Sequence, residues 1–253
     1  MAQKNCHWEQ QAVFYNYLRI FVKVMNRKTR QRLYERSERE RKSPWNVVSF
    51  VLFVAIATVG VILSMYRHPS FRSGDLVFQA GGDGEMSRAI EESTKGNYTH
   101  VGIIERSGDS LFVLEATPRK GVTRTPFQEF ADSSSRDAEG RPDIAVYRIK
   151  HLSKALKDSA IVRAHRFLGR PYDFYYADGS DSLYCSELVW EVFLDADGGH
   201  VFQSIPMNFK GADGAIDPFW AELYARHGRP VPQGEPGTNP NDLSKSEGLK
   251  QIY

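Results

Sequence analysis

The chain has 253 residues, of which 41% are hydrophobic and 25% are charged, so it can form one or two domains with a buried core. Its two cysteines lie far apart in the sequence, which excludes a disulfide framework and a cysteine-based zinc cluster. Residues 1–44 contain 11 Lys/Arg against 4 Asp/Glu, which leaves 22 Lys/Arg against 27 Asp/Glu in the remainder. This acidic remainder argues against nucleic acid as the partner of the main domain.

The amino-terminal residues 1–44 are predicted to be a basic cytoplasmic segment. Apolar side chains recur every three or four positions over residues 9–25, with Arg19 and Lys23 on or near the polar side. This pattern is typical of an amphipathic helix, and the sequence leaves open whether it lies on the inner leaflet of a membrane or is an ordinary cytosolic helix. Residues 27–42 are dense in Arg and Lys and favour a solvated helix or a disordered segment.

Residues 45–66 are predicted to form a transmembrane helix. No charged residue lies between Lys42 and Arg67, and Trp45 and Tyr66 flank the apolar stretch as membrane-interface aromatics do. At about 1.5 Å per residue, the stretch matches a hydrocarbon core of roughly 30 Å. The preceding Lys/Arg excess places the amino terminus in the cytoplasm. The sequence therefore predicts a single-pass protein of the inner (cytoplasmic) membrane whose main domain, residues 67–227, is periplasmic or extracytoplasmic.

The main domain opens with strand patterns. Residues 73–79 predict a turn followed by a strand, and residues 98–116 predict a hairpin with turn residues at its centre. A two-residue or four-residue loop at this turn pairs Ser107 with Ser110, whereas a three-residue loop shifts the register by one. Further along, residues 144–149 predict a strand and residues 153–168 predict a helix.

The hairpin register decides whether two chemically active side chains meet. If Ser107 pairs with Ser110, Gly102 faces Glu115, and His100 shares a face of the sheet with Glu115 as its diagonal neighbour. A carboxylate beside a histidine can orient the imidazole and support its charged form. Taken singly, each of these side chains has an ordinary structural role as the alternative.

Cys185 stands where a helical pattern begins. The apolar residues after it fall at helical spacing, and Asp181 and Ser182 before it are N-cap candidates. A thiol in the first turn of a helix lies among unpaired backbone N–H groups at the positive end of the helix dipole, which favours a thiolate. The alternative is a small buried apolar residue at a helix start. Tyr172, upstream, either reaches the thiol region or packs in the core.

The end of the sequence gives weaker patterns. Residues 218–226 predict a last short helix. Residues 228–253 contain four prolines among Gly, Asn and Ser, and they are predicted to be a disordered tail.

Five short motifs occur in a characteristic order along the main domain. They are Gly74-Asp75-Leu76-Val77, Thr99-His100-Val101-Gly102-Ile103, Leu114-Glu115-Ala116, Gly169-Arg170-Pro171-Tyr172-Asp173-Phe174 and Tyr184-Cys185-Ser186-Glu187-Leu188. This series resembles the permuted papain-like cysteine hydrolases, the YiiX/YebB-like branch of the NlpC-type superfamily. Conventional members carry the cysteine helix first, whereas the histidine strand comes first here, as in the circularly permuted arrangement. The resemblance covers about residues 73–196.

The resemblance implies an α+β, papain-like fold in which an antiparallel sheet packs against the cysteine helix. It implies that Cys185 is the nucleophile, that His100 is the general base and that Glu115 orients His100. Tyr172 is similar to a tyrosine that lies near the thiol in relatives, which makes it a candidate substrate-binding residue. No metal or organic cofactor is implied.

The leading functional hypothesis is a membrane-anchored cysteine amidase or peptidase. It would cleave a peptide or amide through a thioester acyl-enzyme, with cell-wall peptides as candidate substrates because of the predicted topology. One alternative is a lipid-directed thiol hydrolase or acyltransferase, which would require an apolar acyl groove. The other is a non-catalytic binding module in which Cys185 is inert.

Overall fold

The computed structural model describes residues 27–29, 31–32, 36, 49, 52–56, 58, 71–82, 84–176 and 181–253. The chain divides into two units, Met1–Arg67 and His68–Tyr253. In the first unit the described residues are helical. Within the described part of the chain, no helix has the length and apolar character needed to cross a membrane.

Most of what the sequence predicts for the first unit lies outside the described residues. This holds for the amphipathic helix at residues 9–25 and for most of the transmembrane helix at residues 45–66. Both therefore stay predictions. Leu52, Phe53 and Ile56, which are described, are helical, and 54% or more of each is exposed.

The second unit is built on one antiparallel sheet. In chain order the strands are β1 (Leu76–Ala80), β2 (Tyr98–Ser107), β3 (Ser110–Thr117), β4 (Gly121–Pro126), β5 (Ile144–Ile149), β6 (Ile205–Pro206), β7 (Pro236–Gly237) and β8 (Leu249–Gln251). Six of them pair in the order β4-β3-β2-β1-β5-β8, and β6 pairs with β7 separately. Every pairing is antiparallel.

Helices cover the sheet and connect its strands. They are α1 (Glu85–Thr94), α2 (Phe127–Asp132), α3 (Lys154–Arg166), α4 (Cys185–Val192), α5 (Pro218–Arg226) and α6 (Pro240–Ser244). Helix α4, which carries the cysteine at its first position, packs against β2 and β3. The predicted α+β class, with an antiparallel sheet against the cysteine helix, is confirmed for this unit.

Side chains of the central strands alternate between two apolar clusters. Leu76 and Phe78 belong to the larger cluster, whereas Val77, between them, belongs to the smaller one. Leu114 and Val113 on β3 divide in the same way. Because neighbouring residues of a strand point to opposite faces, the sheet is buried on both sides. Hence the five residues of β1 are all buried.

The hairpin formed by β2 and β3 has the predicted register. Ser107 pairs with Ser110 around a two-residue turn, and Ile103 pairs with Leu114. Gly108 in the turn has a φ of +59°, a backbone conformation that glycine adopts without steric cost. This local turn therefore fixes which side chains of the two strands are neighbours.

The prediction of a disordered tail at residues 228–253 is wrong. This segment forms β7, α6 and the edge strand β8. Pro240 lies in the first turn of α6, where a missing N–H costs little. Leu243 is buried, and the Asn241 side chain accepts from the N–H and donates to the carbonyl of Tyr98. The described domain therefore includes residues beyond its predicted boundary.

Candidate active site

Helix α4 begins at Cys185 with Tyr184 as the N-cap residue, and not after Asp181 or Ser182 as predicted. The helix starts later because the preceding Leu183 is still extended and pairs with Tyr172 in a short parallel bridge. At the N-cap, the Tyr184 N–H donates to the Glu187 carboxylate at 3.2 Å. Cys185 is 5% exposed, so the helix start is also the wall of a buried site.

The same bridge places Tyr172 beside the cysteine. Leu183 N–H donates to the Pro171 carbonyl, and Asp173 N–H donates to the Leu183 carbonyl. The Tyr172 ring is buried, and its hydroxyl lies 3.3 Å from the Tyr176 hydroxyl. Tyr172 thus packs in the core and also lines the space next to the thiol. The sequence had left open which of these two positions it takes.

His100 and Glu115 meet as the hairpin register predicts. The distance between His100 Nε2 and Glu115 Oε2 is 2.6 Å, and the two side chains are 17% and 7% exposed. Since Nε2 faces the carboxylate, Nδ1 is the ring nitrogen that remains for Cys185. The Phe130 ring lies 5.7 Å from the imidazole, and Gln79 is the neighbour of His100 on β1. These contacts hold the imidazole in one orientation.

The electrostatic setting of His100 favours the imidazolium. Burial alone lowers the pKa of His100, but hydrogen bonding to Cys185 and Glu115 and the negative charges of both groups outweigh it. The net effect raises the pKa of His100 from 6.5 to about 10. At neutral pH the imidazole is therefore protonated, in hydrogen-bonding range of a sulfur and a carboxylate. The site therefore places a cation beside the cysteine, which is the kind of setting that activates a thiol nucleophile.

Tyrosines surround the thiol on the side of Tyr172. Burial is the largest cause of the raised pKa values of Tyr172 and Tyr176, and the charge of Cys185 raises both pKa values further. Tyr176 has a φ of +49°, which is uncommon for a residue with a side chain. Its ring packs edge-on against Trp220 at 5.3 Å. The phenols therefore stay neutral and can act as hydrogen-bond donors.

A cavity of about 40 Å³ opens next to the cysteine. The sequence singled out Cys185 and Tyr172 from its lining but missed the other walls, which come from distant segments: Ile90, Ser93, Thr94, Tyr176, Tyr184, Ser186, Met207, Asn208, Phe209, Trp220, Thr238, Asn239 and Pro240. One available signal was Asn239-Pro240, since Asn at an N-cap followed by Pro predicts a helix start. No pattern in the neighbouring sequence predicts that Asn239 and Pro240 lie beside the thiol.

Residues 70–253 match the family model of the permuted papain-like amidase enzymes, the YaeF/YiiX, C92 family. The chain belongs to this family. The resemblance inferred from the motifs is thereby confirmed. The match includes residues 228–253, which contribute to the cavity wall. An amidase family implies a peptide or amide substrate.

Two relatives within this family share most of the second unit. The uncharacterised protein YiiX of Escherichia coli (strain K12) is 29% identical over 182 residues, which are 72% of this chain and 85% of YiiX. A crystal structure described as the metalloprotein yiiX from Escherichia coli O157:H7 is 26% identical, with a TM-score of 0.60. The structural match covers 72% of this chain and 96% of the chain in that crystal structure.

The description of that relative as a metalloprotein calls for a comparison with the residues present here. Among the described residues, no group of three or more His, Cys, Asp or Glu side chains is arranged to hold a metal ion. At the site itself, the Nε2 of His100 is engaged by Glu115 rather than by a shared third ligand. The described residues of the site thus do not fit a metal centre held by three such side chains.

Proposed function

We propose that this chain is a cysteine amidase or peptidase in which Cys185 is the nucleophile, His100 the general acid and base, and Glu115 the residue that orients His100. One observation carries the proposal. The imidazole is held by Glu115 at 2.6 Å on one side and interacts with Cys185 on the other, with a pKa raised to about 10. A structural histidine needs only one such partner.

The raised pKa defines the resting state of the reaction. In the proposed reaction His100 carries the proton and the Cys185 thiolate attacks the amide carbonyl carbon directly. The first backbone N–H groups of α4 have no partner within the helix and stabilise the oxyanion. The buried Tyr172 hydroxyl is a further donor next to the sulfur. His100 then gives its proton to the leaving amine, the C–N bond breaks, and a thioester remains.

Hydrolysis of the thioester uses the same residues in reverse. The neutral His100 takes a proton from water, the hydroxide attacks the thioester carbonyl, and the carboxylic acid leaves as the C–S bond breaks. Glu115 is too well buried to be replaced by water as the partner of Nε2. It therefore holds one ring orientation through both half-reactions, and its charge stabilises the imidazolium each time it forms.

The experiment that tests this proposal is the pH dependence of Cys185 alkylation in the full chain. A Cys6→Ser background makes Cys185 the only thiol. We expect fast reaction with iodoacetamide near pH 7 and slow, ordinary thiol behaviour in His100→Ala. The exposed His151 provides the matched control, since His151→Ala should leave the profile unchanged. If the His100 and His151 variants react alike, the catalytic proposal is wrong.

For location, we propose that residues 45–66 anchor the chain in the inner membrane with the amino terminus in the cytoplasm. The charge-free apolar stretch and the preceding basic segment support this topology. A phosphatase that is active only outside the cytoplasm, fused after Arg67, should be active, whereas the same fusion after Pro44 should not. Cell-wall peptides are the proposed substrates only in that topology. If the phosphatase fused after Arg67 is inactive, the domain lies in the cytoplasm and cell-wall peptides are no longer candidate substrates.

A further inference from the structure

The cavity beside Cys185 is small. A buried water needs roughly 10–15 Å³ of such space, so about 40 Å³ holds about three water-sized groups. Its walls are aromatic or aliphatic over most of their extent, with Phe209 and Trp220 both 2% exposed. A group of three or four heavy atoms fills this space, and a longer chain must extend out of it.

Apart from Cys185, whose thiolate is the proposed nucleophile, the described walls of the cavity carry no formal charge. None of the described lining residues is Asp, Glu, Lys, Arg or His. Tyr172, Tyr176 and Tyr184 stay neutral because burial raises the pKa of each phenol. A negatively charged group entering this space would lose its water, would gain no opposite charge from the wall and would face the thiolate, which is strongly unfavourable.

The neutral polar groups of the wall are mostly engaged by one another. Ser93 Oγ accepts from the Trp220 indole N–H at 3.1 Å, and Thr94 Oγ1 donates to the Ile90 carbonyl at 2.6 Å. Asn208 Nδ2 donates to the Ser93 carbonyl at 2.7 Å. These bonds tie the wall together, so an occupant finds apolar surface and few free polar groups.

Two hydroxyl groups are exceptions, those of Ser186 and Thr238. Both residues line the cavity, and neither buried hydroxyl has a hydrogen-bond partner among the described residues. Ser186 directly follows the nucleophile in α4. A buried hydroxyl without a partner is costly, so a bound group that offers one neutral hydrogen bond would relieve that cost. An amide or ester dipole is such a group.

We propose that this cavity selects the acyl part of the substrate and takes a short, uncharged, apolar group of about three or four carbon atoms. The inference rests on the proposed function, because the selected group is the one transferred to Cys185. In the test reaction the thiolate attacks the carbonyl of a p-nitrophenyl ester, the S–C bond forms, and p-nitrophenolate leaves with the electron pair of the C–O bond.

The test compares four p-nitrophenyl esters on the full chain in the Cys6→Ser background: acetate, butyrate, octanoate and hemisuccinate. Butyrate and hemisuccinate form a matched pair, since a terminal carboxylate replaces a methyl group. We measure the burst of p-nitrophenolate and the mass of the peptide that contains Cys185. Butyrate should acylate Cys185 at least about 10-fold faster than hemisuccinate or octanoate.

A variant that enlarges the cavity tests the role of its volume. Met207 lines the cavity and is 7% exposed. Truncation of its side chain to that of Ala leaves additional space beside the aromatic wall. Met207→Ala should raise the octanoate-to-butyrate rate ratio by about 10-fold. Val162, which is 55% exposed and absent from the lining, provides the control, and Val162→Ala should leave the ratio unchanged.

Alkylation by the small neutral reagent chloroacetamide separates the two proposals. If it depends on His100 while all four esters acylate Cys185 at similar rates, or while octanoate or hemisuccinate is preferred, the cavity inference is overturned and the proposed function stands. If alkylation is slow and independent of His100, the proposed function fails and the cavity inference falls with it. A preference for butyrate that does not shift in Met207→Ala also overturns the inference.

Discussion

Gly102 lies so close to Glu115 that a Cβ atom placed on the glycine would be 3.4 Å from the Glu115 Cβ. The same atom would overlap the Val113 side chain. Since Val113 is fully buried, the overlap cannot be relieved by a movement into solvent. The packing of Val113 therefore requires a glycine at this position, directly beside the Glu115 carboxylate that His100 contacts.

Gly102→Ala should destabilise the fold by roughly 1–3 kcal/mol, the usual range for overpacking a core. Urea unfolding measures this as a lower midpoint with an unchanged slope. Gly84→Ala is the matched control, because Gly84 has a φ of −95° and nothing within 4 Å of its added Cβ. Equal midpoints for the two variants would contradict the assigned role of Gly102.

Glu115→Gln should slow the proposed reaction by roughly 100-fold or more, since an amide keeps the shape but removes the charge that supports the imidazolium. In this variant the pKa of His100 should fall, and the fast phase of Cys185 alkylation should weaken. Glu129→Gln provides the control, because Glu129 is 56% exposed and pairs with Lys120 on the surface. An unchanged pH profile in Glu115→Gln would show that Glu115 does not act on His100.

The raised pKa of His100 also predicts how stability depends on pH. The folded state binds this proton more tightly than the unfolded state, so the contribution is fully present below pH 6.5 and is lost as the pH rises through about 10. The difference in unfolding free energy between the native chain and His100→Gln should therefore shrink by on the order of 5 kcal/mol across this window. A constant difference would be inconsistent with the assigned pKa. His151→Gln serves as the exposed control.

The buried ion pair of Asp75 is predicted to matter for stability rather than for chemistry. The Asp75 carboxylate accepts two bonds from the Arg148 guanidinium, at 2.8 and 2.6 Å, and is 1% exposed. Asp75→Asn should cost on the order of 3 kcal/mol, because a partly buried guanidinium loses its counter-charge. The exposed pair of Lys154 and Asp158 is the comparison, and Asp158→Asn should cost about 0.5 kcal/mol or less. Thermal unfolding of both variants measures the difference.

Residues 228–253 should behave as part of the domain. Asn241 bonds Tyr98 at its N–H and its carbonyl, and its amide also donates to Thr94 Oγ1 at 2.6 Å. Asn241→Ala should therefore increase amide hydrogen exchange in α6 and at the start of β2. Lys245→Ala, at an exposed position, should not. Rapid exchange throughout this segment in the native chain would support the disordered tail that the sequence suggested.

The parts of the fold that the sequence predicts well are those that local chemistry decides. The two-residue turn at Gly108 sets the register of β2 and β3, and this register alone brings His100 to Glu115. Helix α5 is likewise predicted at residues 218–226, where Asp217 caps a helix with Pro218 in its first turn. Such signals involve neighbours in sequence, so no knowledge of the tertiary fold is needed.

The features that the sequence does not predict depend on contacts between distant segments. The N-cap of α4 is displaced to Tyr184 because Leu183 pairs with Tyr172. The composition of residues 228–253 suggests disorder, yet a few buried side chains such as Leu243 and well-placed prolines are enough to order the segment. The cavity walls meet only after these segments pack, so no spacing rule reveals them.

The two contacts of the imidazole differ in the length of chain that each must close. Glu115 is 15 residues from His100 and belongs to the same hairpin, so a short loop brings them together. Cys185 belongs to a helix that follows β5 and α3 in the chain, so a much longer loop must close to bring it to β2. Because local contacts form before distant ones, we expect the histidine to acquire its carboxylate early in folding and its sulfur late. Partial loosening of the packing around α4 would then leave a well-oriented imidazole beside a displaced thiol.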